Sequence, residues 1–284
     1  MTNFAVIGNG AVGSVIAHEL KSAGKNVRLF GRQEQQIILS LPQQVKLNVT
    51  SLVVNQEKFD YIFVAVKATR IAEIKSALNK MCHDHTVIIV CQNGIGQLSQ
   101  FDMAPSFQAA VYISGEKNGL RVKHFRDKKL VLPDHPLMRQ LKQALSDTAL
   151  VIEISSSQLT IIWYKMLVNL GINTVTALSK NTAQILELSQ VRDLVQTLLE
   201  EGILIANTHG ESFTHEVVDE IMAIYDGYPP EMGTSMYYDM LEGRQLEYDF
   251  IQGEFYRLAR LYHLTTPVLD TCCTLLSAYQ YKKH

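Results

Sequence analysis

Apolar residues come in short runs through the first half of the chain and at helical spacing through the second. The runs and the polar stretches between them predict strands at 3–8, 26–30, 45–48, 60–66, 86–91, 108–113, 119–125, 129–132 and 150–153. They predict helices at 11–24, 69–81 and 136–147. Alternation of this kind implies a mostly parallel sheet covered by helices. After Ser155 the β runs vanish. Residues 156–174, 186–208, 215–225, 236–242, 248–262 and 267–281 all fit the helical period. The run Ser155-Ser156-Ser157 marks the seam. The expected organisation is an α/β domain over 1–154 and an all-helical domain over 155–284. A cleft between them is the expected binding place, since ligand sites favour domain boundaries.

At 284 residues and 47% hydrophobic content, the chain is able to bury one large core or two moderate ones. A formal net charge of −2 gives no reason to expect nucleic acid or an anionic membrane as partner. The four cysteines, Cys82, Cys91, Cys272 and Cys273, form no C-x-x-C pair and follow no secretory signal. They read as reduced packing residues of a cytoplasmic protein. No apolar stretch reads as long and clean enough to span a bilayer. The histidines show no metal-ligand spacing, so no metal is expected. The expected assembly is a monomer or a homodimer.

The amino terminus carries the sharpest chemistry. An apolar run leads into Gly8-Asn9-Gly10-Ala11-Val12-Gly13, and a helix-compatible segment follows. G-x-G-x-x-G between a strand and a helix is the Rossmann dinucleotide fingerprint. Gly8 permits the tight turn, Gly10 lets backbone approach a pyrophosphate, and Gly13 lets helix pack on strand. The phosphates then meet the N–H groups that open the helix. The alternative is a glycine-rich turn with no ligand. At the tip of the second strand, Val27-Arg28-Leu29-Phe30-Gly31-Arg32 offers no acid for a ribose 2′-hydroxyl. Arg32 suits a 2′-phosphate instead, which favours NADPH over NADH. Its alternative is a solvated arginine. Lys67 and Asn93 follow later strands at the same carboxyl edge, where ligands of open α/β sheets bind. Either residue also suits a turn or helix cap.

A second constellation lies in the helical half. Lys165, Asn169 and Asn173 stand at four-residue steps and so share one helix face. Such a stripe on an apolar helix suggests a site for an oxygen-rich substrate; helix–helix hydrogen bonds are the alternative. Ser235 and Glu247 lie further along. Ser235 suits the cap of a helix 236–241, and Glu247 suits the dipole at the start of an apolar helix from Tyr248. In the functional reading, Ser235 holds a substrate carboxylate and Glu247 sets the state of Lys165.

These elements together resemble the ketopantoate reductase (2-dehydropantoate 2-reductase) family over nearly the whole chain. The resemblance rests on Gly8–Gly13, Val66-Lys67-Ala68, Gln92-Asn93-Gly94-Ile95-Gly96, and Trp163-x-Lys165-x3-Asn169-x3-Asn173. Ser235-Met236-x-x-Asp239 with Glu247 and Gly253 completes it. It implies a Rossmann domain followed by a helical domain of the 6-phosphogluconate dehydrogenase C-terminal type. It implies Lys165 as proton donor and Glu247 as its partner near the cofactor. It also implies Asn169 and Asn173 as substrate contacts, Ser235 at the substrate carboxylate, and Asn93 between cofactor and substrate. The expected reaction is NADPH-dependent reduction of 2-dehydropantoate to pantoate, a step of pantothenate biosynthesis.

There are departures. Ser114–Lys129 keeps Gly115 and Gly119 but fits the family hairpin poorly. Its seven basic or histidine side chains, from Lys117 to Lys129, read mostly as a solvated rim. Met232 and Thr182-Ala183 also depart from the family pattern. They leave open a reductase of another branched 2-oxo acid. Two further readings are a 3-hydroxyacid dehydrogenase of the 6-phosphogluconate type and a non-catalytic NADPH-binding sensor.

Overall fold

The computed structural model describes residues 2–281. The chain divides into two compact units, Met1–Leu159 and Thr160–His284.

The first unit is an α/β structure built on one sheet. Its elements are β1 (Asn3–Ile7), α1 (Ala11–Ser22), β2 (Asn26–Gly31), β3 (Gln35–Ser40), β4 (Gln44–Ser51), β5 (Tyr61–Val64) and α2 (Ile71–Met81). After them come β6 (Val87–Val90), β7 (Ser106–Gln108), β8 (Ala110–Asn118), β9 (Arg121–Pro133), α3 (Pro136–Ala144) and β10 (Val151–Ser155). The strand order is β10-β9-β3-β4-β2-β1-β5-β6-β7, with β8 paired to β9. The β2, β1, β5 and β6 strands run parallel. Buried on both faces, β1, β5 and β6 read as nearly continuous apolar runs, and Ala5, Val6, Ile62, Phe63, Val64, Ile88, Ile89 and Val90 are wholly buried. Helix α1 presses Val15, Ile16 and Leu20 into the core they share with Phe4, Phe63 and Leu130. Helix α3 starts sharply because Pro136 stands at its first turn and the His135 Nδ1 accepts the Leu137 N–H at 3.2 Å.

Three sequence expectations change here. Strand β3 was absent from the pattern reading. It pairs antiparallel with β4 and parallel with β9, and Ile37 and Leu39 fill the core from it. The span 108–113 divides into β7 and β8, and β8 runs on to Asn118. The 114–129 segment is thus most of a long hairpin with β9, turning at Gly119 with φ of +56°. Nor is that segment wholly a solvated rim. The Lys128 ammonium meets the buried Glu19 carboxylate of α1 at 2.6 Å, and Lys129 meets Glu153 of β10 at 2.5 Å. These pairs fasten the hairpin to its neighbours.

The second unit is helical. Helix α4 (Gln158–Ser179) leads into it, followed by α5 (Ser189–Thr208), α6 (Glu216–Asp226), α7 (Ser235–Leu241), α8 (Gln252–Leu261) and α9 (Pro267–Gln280). By length and composition alone α4 is long and apolar enough to cross a bilayer, where the sequence reading found no such stretch. Two-thirds of its most apolar window is buried within the protein, however. A helix apolar nearly all round is what the centre of a bundle requires. Trp163 is fully buried between Phe255 and His209. Helix α5 comes close because Gly202 has no side chain: a Cβ there would stand 2.6 Å from a Leu170 methyl. The buried Glu201 carboxylate accepts the Val268 and Leu269 N–H groups at 3.1 and 2.7 Å, so α5 caps α9.

The expected helix 248–262 is broken. Residues Tyr248–Phe250 form a single 3-10 turn, Ile251 leaves helical geometry at φ −119° and ψ −88°, and α8 starts only at Gln252. Leu246 and Ile251 are both drawn into one apolar cluster with Ala177, Met236, Met240 and Leu276.

Candidate active site

In the first unit, the loop after β1 has the stereochemistry that the fingerprint demands. Gly8 sits at φ +116°, and a Cβ there would lie 2.6 Å from the Ala65 backbone. Its N–H donates to the Phe30 carbonyl at 2.9 Å, tying the loop to β2. A Cβ at Gly13 would fall 1.9 Å from the Gly8 carbonyl oxygen, so α1 lies directly against the turn. Gly10, by contrast, faces open space and precedes the first turn of α1, with extended φ of −80° and ψ of −170°. No side chain caps that turn. The N–H groups that open α1, at Ala11 and Val12, therefore face the space beside Gly10 without a side-chain competitor. The Asn9 side-chain nitrogen is buried beside Gly31 and has no protein partner. These are the features of a pyrophosphate cradle, and the residues fit a dinucleotide.

The remaining predicted residues of this unit take their places at the same sheet edge. Arg32 directly follows β2 and its side chain is largely exposed; its carbonyl accepts the Ser51 hydroxyl at 3.3 Å. Lys67 follows β5 and precedes the 3-10 turn Ala68–Arg70, whose Arg70 N–H returns to the Lys67 carbonyl at 2.8 Å. Asn93 lies in the turn after β6. Two buried glutamines hold that turn from beneath: Gln97 Nε2 donates to the Asn93 carbonyl at 2.9 Å, and Gln108 Nε2 to the Gly94 carbonyl at 2.5 Å. Buried Gln92 leaves both its amide atoms without a protein partner. Sequence reasoning passed over Gln97 and Gln108 because only the fold brings residue 108 to the carbonyl of residue 94.

In the second unit, α4 places Lys165, Asn169 and Asn173 on one face. The first two are half-buried and Asn173 is buried. Below them a chain of hydroxyls fixes the neighbouring elements. Thr174 Oγ1 donates to the Leu170 carbonyl at 2.5 Å and accepts from Gln252 Nε2 of α8 at 2.9 Å. Thr176 Oγ1 donates to the Ile172 carbonyl at 2.7 Å and meets Thr234 Oγ1 at 2.8 Å. Since the Thr176 proton is committed, Thr234 is the donor of that pair. Its oxygen still accepts the Tyr237 N–H at 3.1 Å. Thr234, not Ser235, therefore caps α7, and Ser235 is an exposed first helical residue beside it. The structure corrects the capping alternative offered for Ser235, and it sets the start of α7 against the turn of α4 that carries Asn173.

Glu247 is half-buried and begins the 3-10 turn, its carbonyl accepting the Phe250 N–H at 3.0 Å. The segment before it is clamped. Arg244 Nε donates to the buried Asp239 carboxylate at 2.7 Å, and the Arg244 N–H to the Asp239 carbonyl at 2.8 Å. Tyr225 donates its hydroxyl to the Val168 carbonyl at 2.6 Å, and burial holds that phenol well above its ordinary pKa. It stays a neutral donor bracing α4 between Lys165 and Asn169.

Residues 4–137 match the ketopantoate reductase PanE/ApbA family, and residues 158–280 match its C-terminal part. A dimeric ketopantoate reductase from Staphylococcus aureus is 41% identical, with a TM-score of 0.95 and 98% of each chain covered. The chain belongs to the ketopantoate reductase family. It is thus an oxidoreductase by family, with the Rossmann-type sheet and helical domain that the sequence resemblance implied. The 2-dehydropantoate 2-reductase of Mycobacterium tuberculosis is 29% identical over 98% of this chain and 97% of its own length. The fold is shared more widely. A D-mandelate dehydrogenase solved with NADH and anilino(oxo)acetate has a TM-score of 0.90 at 20% identity.

Proposed function

We propose that this chain catalyses the NADPH-dependent reduction of 2-dehydropantoate to pantoate. The observation that carries the reading is the α4 stripe, in which Lys165 and two carboxamides share a face of a buried helix. Beside the Asn173 end of that face, Thr234 caps α7 and frees Ser235 from capping. In this reading the first unit is the cofactor domain and the second binds the oxo acid. The N–H groups opening α1 would hold the pyrophosphate beside Gly10, and Arg32 would meet the 2′-phosphate. Lys67 and Asn93 serve the same edge of the sheet. The bound nicotinamide supplies the hydride that reduces the ketone carbon.

The protein's part is electrostatic and positional. Ser235 donates to the substrate carboxylate, and Asn169 or Asn173 bonds the distal hydroxyl. As hydride arrives at C2, charge grows on the ketone oxygen. The Lys165 ammonium stabilises that charge and gives the oxygen its proton, leaving a neutral amine that solvent reprotonates. Glu247 keeps Lys165 charged before the transfer. A ketone, NADPH and one proton thus become an alcohol and NADP⁺.

Steady-state NADPH oxidation with a panel of 2-oxo acids tests the assignment. The highest kcat/KM is expected for 2-dehydropantoate. A higher value for 2-oxoisovalerate or for an aryl oxo acid transfers the assignment to that substrate. NADH turnover above NADPH turnover refutes the cofactor. Four buried free thiols suit a reducing compartment, and the cytoplasm is the proposed location. The dimeric relative makes a homodimer the expected assembly.

A further inference from the structure

Arg32 does not stand alone at the end of β2. Glu73, in the first turn of α2, extends a carboxylate to it: Oε2 lies 3.7 Å from the Arg32 guanidinium. The other oxygen, Oε1, is hydrogen-bonded to Arg70, at the end of the 3-10 turn that follows Lys67. The three side chains come from two places, the tip of β2 and the crossover after β5. In the sheet, β1 lies between those strands, so they flank the Gly8–Gly13 loop. All three side chains are substantially exposed.

The charge count is unusual. One carboxylate is shared by two guanidiniums, leaving a net charge of +1 at the point where the proposed function puts the adenosine 2′-phosphate. A guanidinium pair is matched better by a phosphate, which carries nearly two negative charges and three acceptor oxygens, than by one carboxylate. We propose that Arg70 is a second recognition residue for the 2′-phosphate, and that Glu73 is the resident counter-ion which that phosphate displaces. NADH brings only a hydroxyl, which leaves the Arg32–Glu73–Arg70 arrangement in place. Discrimination then comes from an exchange of anions and not from Arg32 alone. The inference rests on the proposed cofactor but not on the proposed oxo acid.

Calorimetric titration of the intact protein tests it without turnover. The probes are NADPH, NADH, 2′,5′-ADP and 5′-AMP. An exposed ion pair converts to at most about a fivefold change in affinity. Arg70→Gln is expected to weaken NADPH and 2′,5′-ADP by about that factor and to leave NADH and 5′-AMP unchanged. Glu73→Gln is expected to tighten NADPH and 2′,5′-ADP, because the competitor has gone. Thermal melts of both variants matching wild type show that the fold is intact; Arg70→Lys and Glu73→Ala replace a variant that melts early. Equal effects of Arg70→Gln on phosphorylated and unphosphorylated probes overturn the proposal. So does a Glu73→Gln protein that binds 2′,5′-ADP no more tightly than wild type. Wild type that binds none of the four probes overturns the cofactor reading together with this one. Normal phosphate discrimination with no turnover of 2-dehydropantoate overturns only the substrate.

Discussion

Thr234 offers a measurable link between a buried hydroxyl and substrate binding. Thr234→Val keeps the shape and removes both polar contacts, the cap on the Tyr237 N–H and the bond to Thr176. Loss of an N-cap costs about 1 kcal/mol. Loss of a neutral hydroxyl pair costs about 1 kcal/mol more. No orphan penalty arises at Thr176, whose hydroxyl keeps the Ile172 carbonyl at 2.7 Å. The sum is about 2 kcal/mol, or roughly 4–8 °C for a protein of this size. Thr234→Ser should recover most of it. The single tryptophan, Trp163, is buried in the same unit, so its fluorescence follows the unfolding that matters. The same variant loosens the first turn of α7, which carries Ser235. KM for the oxo acid should therefore rise while NADPH affinity stays as in wild type. A Thr234→Val protein with wild-type midpoint and KM would refute the reasoning. A Thr234→Ser protein as damaged as the valine variant would refute it as well, by showing that shape and not the hydroxyl is read.

Three other outcomes are expected. Lys165→Ala should lower kcat by about 10²–10⁴-fold with NADPH binding intact, measured by single-turnover kinetics and titration. Ser235→Ala should weaken all 2-oxo acids alike, whereas Asn173→Ala should penalise 2-dehydropantoate against 2-oxoisovalerate by roughly 0.5–1.5 kcal/mol in the ratio of kcat/KM values. Burial pushes the Cys272 and Cys273 thiols up to about 11 and about 12. In the folded protein they keep protons that unfolded thiols release, so their contribution to stability is full below about pH 8.5 and declines as pH rises toward 11–12. Denaturant midpoints between pH 8 and 11 should fall less steeply in the Cys272→Ala/Cys273→Ala protein than in wild type; equal slopes would contradict that cause.

Much of the fold was legible where a local rule sufficed. Gly8, Gly10 and Gly13 announced a strand, a turn and a helix because the requirement for glycine is written in their spacing: Gly13 packs against the Gly8 carbonyl of the same turn, and Gly8 takes a positive φ. The β5 and β6 strands were readable because both faces are buried and no polar alternation interrupts them. What failed depended on distant partners. Gln35–Ser40 is a short run starting with two glutamines, and it becomes a strand because Ile38, Leu39 and Ser40 meet residues 121–123. The break at Ile251 coincides with burial of that side chain among residues from three other helices, α4, α7 and α9. In the candidate site, the four-residue steps of α4 were visible, but the cap at Thr234 was assigned one residue late. A hydroxyl that bonds Thr176 has no signature in local sequence. Nor did spacing reveal that Glu73 reaches Arg32, since the turn of chain between them is set by the β5 crossover.

The long strand β9 has a consequence for the order of assembly. Its first part pairs with β3 at Arg121–Lys123, and its last part pairs with β10 from Lys129 onward. A nascent chain that has made the β3–β4 hairpin must wait for β9 to leave the ribosome before that edge is covered. Until then Ile37 and Leu39 are exposed beside a row of unpaired backbone groups, a template for another chain. Because the partner is remote in sequence, loop closure makes this docking step slow. Lesions in the β8–β9 hairpin would then appear as self-association during synthesis rather than as altered catalysis. The pairing of Ile38, Leu39 and Ser40 with Arg121, Val122 and Lys123 would be the contact that ends the exposed interval.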